Sequence, residues 1–108
     1  MGVMAFTPLG NTVSFTAAVS APTAVQALAN TIAGTQYRIH NTGNVVVFLG
    51  VGSTANAAAT MANTSIVGQT ITLVPSSVEV FTFSGNQYFT GATSSSSAVV
   101  YVTPGDGI

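Results

Sequence analysis

Very few side chains of this sequence could carry out acid–base, nucleophilic or metal chemistry. The groups available are one base, Arg38, two acids, Glu79 and Asp106, and one histidine, His40, beside many serine and threonine hydroxyls. Serine, histidine and aspartate are the parts of a hydrolytic triad, but no Gly-x-Ser-x-Gly turn is present to expose a nucleophilic serine. Asp106 stands in a Pro-Gly-Asp-Gly segment, where we expect its side chain to cap its own backbone. A triad is therefore not predicted.

The residues needed for other kinds of reactive site are also few or missing. Two-carboxylate catalysis would require Glu79 and Asp106 to meet, with no third acid in reserve. A metal site would have His40 as its single imidazole, and the absence of cysteine excludes thiolate ligands and thiol catalysis. The glycines of Gly50-Val51-Gly52 lack the third glycine of a phosphate-binding loop. We predict no enzyme activity, no cofactor and no metal site.

The overall composition excludes several classes of partner. Charged residues make up 3% of the 108 residues, against about 25% in ordinary soluble domains. A single base can neither neutralise a nucleic-acid backbone nor dock on anionic lipid, so we expect neither partner. No apolar run approaches the length of about 20 residues needed to span a membrane. The N-terminal residues have no basic region and no long apolar stretch, so we expect synthesis in the cytoplasm without a signal peptide.

Alternating polar and apolar residues predict β-strands along the chain. Residues 12–20 alternate, with Val13, Phe15, Ala17 and Val19 on one face. Residues 36–41 alternate again, with Arg38 and its neighbours at even positions facing outward. Turn signals recur between about seven or eight such segments, which predicts one antiparallel β-sandwich of jelly-roll-like type for residues 1–108.

Three segments carry more specific expectations. Residues 45–51 are continuously apolar, so we predict a strand buried on both faces, paired in a hairpin with residues 36–41 across the turn at 41–44. Residues 52–64, rich in alanine, are expected to form one helical turn or a long loop. The last strand is predicted over residues 98–103, with Pro104 ending it.

Candidate interaction residues lie on these strands. Arg38 and His40 are two apart and share a strand face, where they form either a small cationic spot for a partner's carboxylate or a solvated surface. Glu79 is expected to pair with Arg38, across strands or across a subunit boundary. Phe81 and Phe83 are read either as core or as a subunit contact, since Val78 and Val80 are expected to supply the buried face of the same strand.

The first residues are apolar and precede the first strand. We interpret residues 1–11 as an N-terminal arm that packs on a neighbouring molecule, with Phe6 as its anchor and Pro8 in the contact; the alternative is a frayed terminus. With little net charge to keep molecules apart, self-association is favoured. We therefore expect a homo-oligomer.

Four segments resemble small virion-associated proteins of tailed bacteriophages. They are Tyr-Arg-Ile-His-Asn-Thr-Gly at 37–43, Val-Val-Phe-Leu-Gly-Val-Gly at 46–52, Ser-Val-Glu-Val-Phe-Thr-Phe at 77–83, and Val-Tyr-Val-Thr-Pro-Gly-Asp-Gly at 100–107. The resemblance covers residues 36–108.

The resemblance implies a non-enzymatic capsid decoration, or cement, protein. Such proteins are β-sandwiches that form trimers over capsid symmetry axes and clamp neighbouring major-capsid subunits. The expected partners are thus the major capsid protein and further copies of the chain, and the expected location is the capsid surface of the virion. Two alternatives stay open: a phage tail, fibre or head-spike module, and a carbohydrate-binding or adhesin β-sandwich.

Overall fold

Two antiparallel sheets and one helix make up the structure, a computed structural model that describes residues 7–8, 10–28, 36–64, 71–83 and 87–106. In chain order the elements are β1 (Thr7–Pro8), β2 (Val13–Ala17), β3 (Val25–Gln26), β4 (Gln36–Asn41), β5 (Val47–Gly52), α1 (Ala55–Thr64), β6 (Ile71–Leu73), β7 (Val78–Thr82), β8 (Tyr88–Ala92) and β9 (Ala98–Asp106). Sheet 1 has the strand order β1/β2-β9-β4-β7, and sheet 2 has the order β3-β8-β5-β6. The predicted all-β sandwich is confirmed.

The strand pairing is that of a jelly roll. β1 and β2 pair with opposite ends of the same edge of β9, so the two share one position in sheet 1. The remaining pairs are nested: β2 with β9, β3 with β8, β4 with β7, and β5 with β6, all antiparallel. A chain folded back on itself between β5 and β6 and then rolled up gives this order, which is the double Greek key of jelly rolls.

The core lies between the sheets, where the inward side chains of alternating strands meet. In β2, Phe15 and Ala17 are buried while Ser14 and Thr16 are exposed, as the alternation predicts. Val19, expected on the same buried face, is 65% exposed. That expectation was wrong because β2 ends at Ala17, beyond which the alternation no longer describes a strand.

Strand β5 is covered on both faces, as its continuous apolar sequence predicts. Val47 and Leu49 point into the core, and α1 packs on the other face of the strand. The expected single turn or loop is instead a ten-residue helix. Alanine is the strongest helix former, and the Thr54 hydroxyl caps the first turn by accepting a hydrogen bond from the Ala57 N–H at 3.1 Å.

The predicted hairpin between β4 and β5 is wrong, since β4 belongs to sheet 1 and β5 to sheet 2. The turn at residues 41–44 is a corner between the sheets. Asn41, fully buried, holds this corner: its Nδ2 donates to the carbonyl oxygens of Val45, Leu73 and Val74 at 3.0, 3.2 and 3.2 Å. A turn sequence permits either a hairpin or a corner, and here the corner lets both strands place their apolar side chains in one core.

Pro104 does not end the last strand, which continues to Asp106. Proline is tolerated in a strand where no ladder partner is lost. Pro104 pairs with Tyr37 of β4, and the pairing continues to Gln36 and Gly105, so the strand runs through the proline on the β4 side. The prediction failed because this partner strand is remote in sequence.

Candidate functional site

The outer face of sheet 1 gathers the side chains that point away from the core on four strands. The pairing register determines which residues lie on this face, because directly paired residues in an antiparallel sheet point to the same side. Arg38 pairs with Val80 and Thr103, and His40 pairs with Val78 and Tyr101. The outer face of sheet 1 is therefore formed by Thr12, Ser14, Thr16, Gln36, Arg38, His40, Val78, Val80, Thr82, Val99, Tyr101 and Thr103.

A groove of about 340 Å³ crosses this face. It is lined by Thr12, Arg38, His40, Val78, Tyr101 and Thr103. The hydroxyls of Thr12 and Thr103 share a hydrogen bond of 2.7 Å. The chain's one arginine and one histidine thus lie in the same groove, beside an exposed tyrosine ring.

The groove has the chemistry of a binding surface for a hydrogen-bond acceptor. The Arg38 guanidinium offers a planar set of N–H donors, which suits a carboxylate. Tyr101, 44% exposed, and Val78, 54% exposed, add apolar area on either side. None of the described side chains that line the groove is a carboxylate.

The two charged residues of adjacent strands do not face each other. Glu79 pairs directly with Ile39, whose side chain is buried in the core, whereas Arg38 pairs with Val80. Arg38 and Glu79 therefore leave sheet 1 on opposite faces. The direct cross-strand pair expected from the sequence is not formed, because a single residue of register separates the two. Their pairing across a subunit boundary stays a prediction.

Strand β7 faces the opposite way from the sequence expectation. Val78 and Val80, expected to be buried, are 54% and 49% exposed. Phe81 and Phe83 instead lie on the core side, half-buried, and their rings stack with centroids 5.9 Å apart. The ring centroid of Phe83 also lies 6.0 Å from those of Tyr37 and Phe89. The alternation identified which residues share a face, but the larger aromatic rings occupy the core and leave the valines outside.

The expected N-terminal arm is partly a strand of the chain's own sheet. Pro8 is exposed and pairs with Gly105 of β9 in the same molecule, and Thr7 pairs with Asp106 of the same strand. An edge position suits proline because its missing N–H costs no ladder bond there. Phe6 lies outside the described residues, so its role as an anchor stays a prediction.

Two further kinds of feature are absent from the described residues. No group of three or more histidine, cysteine or acidic side chains within them is placed to hold a metal ion. Within the same residues, no helix has the length and apolar character needed to cross a membrane.

Comparisons with known proteins add no family to this picture. No protein-family model, curated protein or solved structure matches the chain. The resemblance to virion-associated proteins stays a prediction.

Sequence reasoning found Arg38 and His40 but missed the rest of the groove. Thr12 and Thr103 are distant in sequence and meet through the pairing of β2 and β9, which no local pattern encodes. Tyr101, which reaches the groove from β9, was also missed. The alternation of residues 98–103 could have placed it, because Val100 and Val102 occupy the opposite face of the same strand.

Proposed function

We propose that this protein is a non-enzymatic structural component of a phage virion, a capsid decoration protein that oligomerises, binds the major capsid lattice and uses the outer face of sheet 1 as an interaction surface. The observation that carries the proposal is the exposure of Val78, Val80 and Tyr101 together on that face. Exposed apolar groups clustered on one face are typical of protein interaction sites.

The fold and the charge of the chain support the same function. Jelly rolls recur in viral capsid proteins, although they also occur in lectins, so this support is by analogy. With 3% charged residues, the contacts would depend on apolar and hydroxyl groups, and they would be little weakened by salt. A capsid offers many identical sites, so a symmetric oligomer would gain avidity from individually weak contacts.

Binding to phage heads tests the proposal. Purified protein is mixed with heads that lack it and sedimented, and bound protein is located by cryo-electron microscopy. We expect saturable binding at symmetry-related positions on the head. Val80→Ser should weaken it, whereas Thr72→Ser, exposed on β6 of the other sheet, should not. Binding to tails alone would favour the tail or fibre alternative, and no binding to any particle would refute a virion role.

A carbohydrate-binding function is the second candidate. The observation that favours it is the exposed Tyr101 ring in a groove with Arg38 and His40, because an aromatic ring beside hydrogen-bonding groups can hold a sugar. A glycan array with wild-type protein and Tyr101→Ala tests it. Hits that disappear in the variant would support this function, and an array without hits would refute it.

A further inference from the structure

We propose that, in the oligomer, the Glu79 carboxylate of one copy binds Arg38 in the groove of a second copy. The inference rests on the self-association in the proposed function and specifies where it occurs. The chain has only one arginine or lysine and two acids. Arg38 and Glu79 are both exposed, on adjacent strands, and leave sheet 1 on opposite faces.

The surroundings of both residues suit a protein contact. Glu79 lies on edge strand β7 between Val78 and Val80, and all three side chains are exposed. Arg38 lies in a groove whose rim includes the exposed Tyr101. Apolar area of this kind supplies affinity, while a complementary charge pair fixes the register of the partners. An isolated exposed pair would contribute only about 0–1 kcal/mol, so the pair acts mainly through register.

The proposal does not require Arg38 to lack contacts in its own molecule. A guanidinium carries five N–H donors in a planar arrangement, so it can hold an acceptor of its own chain and still bind a carboxylate from a neighbour. Glutamate is long enough to extend beyond the edge strand on which it lies.

The placement of Glu79 also determines how two copies would meet. In ordinary edge-to-edge antiparallel pairing of β7 strands, the faces of the two sheets are continuous, and Glu79 and Arg38 would remain on opposite faces. A charge on the inward side of an edge strand also discourages such pairing. The ion pair therefore requires the β7 edge of one copy to lie against the outer face of sheet 1 of the next.

This contact joins two different patches of the same chain. Contacts of that kind are head-to-tail and give a ring when the rotation between copies closes. A closed ring agrees with the trimer that the sequence resemblance implies. It would also cover Val78 and Val80 of each copy.

Charge reversal tests the proposal. The masses of wild type, Arg38→Glu, Glu79→Arg and the double variant are measured by light scattering over a dilution series, with circular dichroism to establish that each is folded. Each single reversal places like charges together, so we expect association about 10- to 100-fold weaker than wild type. The double variant should recover most of the loss. Thr72→Glu, which adds a carboxylate on the other sheet, should associate as wild type does.

The outcomes separate this inference from the proposed function. Recovery in the double variant supports the pair. If both single variants form the same oligomer as wild type, the pair is overturned but a virion role is not. The same conclusion follows if both single variants lose association and the double variant does not recover it. A wild type that stays at 10.8 kDa overturns self-association and the pair together. If a reversed variant does not fold, Arg38→Gln and Glu79→Gln replace it: the pair predicts that the two neutral variants weaken association to the same extent, and unequal losses overturn it.

Discussion

Helix α1 packs so closely on strand β5 that a β-carbon added at Gly50 would lie 2.8 Å from the Cβ of Ala62. The same added carbon would overlap the carbonyl oxygen of Ala58. The small residues on the two elements thus set the distance between helix and sheet. Because α1 covers sheet 2 while sheet 1 keeps exposed valines, this contact also distinguishes the two faces of the sandwich.

Gly50→Ala should destabilise the fold by forcing α1 away from β5. Overpacking of this kind costs about 1–3 kcal/mol, and Gly50→Val should cost more. Urea unfolding measures the change in the free energy of unfolding, at one protein concentration because self-association also stabilises the fold. Thr72→Ala, exposed on β6, is the control. A Gly50→Ala protein as stable as wild type would show that the helix can shift without loss.

Asn41→Ala should leave the corner between the sheets without its hydrogen bonds. The carbonyl oxygens of Leu73 and Val74 and the Gly43 N–H would lose their Asn41 partner. Leaving such buried groups unpaired costs about 1–3 kcal/mol. Asn44→Ala is the matched control, because Asn44 is exposed in the same turn. Equal unfolding midpoints for the two variants would contradict the role given to Asn41.

Thr54→Ala should weaken the start of α1. The substitution removes the hydroxyl that accepts the Ala57 N–H, and the loss of such a cap costs about 1 kcal/mol. Thr54→Ser keeps the oxygen and should stay within about 0.5 kcal/mol of wild type. Thermal unfolding followed by circular dichroism compares the three proteins. If serine and alanine destabilise equally, the hydroxyl is not what stabilises the helix start.

The fold class could be predicted because strand alternation is a local property of the sequence. The same pattern could not reveal which side of β7 faces inward, since Val78 and Val80 are as suitable for a core as Phe81 and Phe83. The choice depends on Tyr37 and Phe89, whose rings pack against the ring of Phe83 from other strands.

Long-range pairing explains the remaining errors. The turn after β4 has the residues of a hairpin, but the buried amide of Asn41 joins it to β6 and makes it a corner. The groove could be predicted only in part. Arg38 and His40 are neighbours on one strand, whereas Tyr101 reaches them through the pairing of β4 with β9.

Strand β7 offers a direct separation of folding from assembly. Phe81→Ala removes a half-buried ring that packs against the core, and we expect a loss of about 1–3 kcal/mol, less than for a fully buried phenylalanine. Val80→Ser changes a side chain on the outer face, and we expect the free energy of unfolding per subunit to change by less than about 0.5 kcal/mol. Self-association and binding to phage heads should fall in Val80→Ser while its fold is retained. Urea unfolding in dilute solution, where subunits are separated, and sedimentation at high concentration measure the two effects. A different result would contradict this assignment: Val80→Ser assembles normally, while Phe81→Ala folds normally but does not assemble. The interface would then lie on the aromatic side of β7.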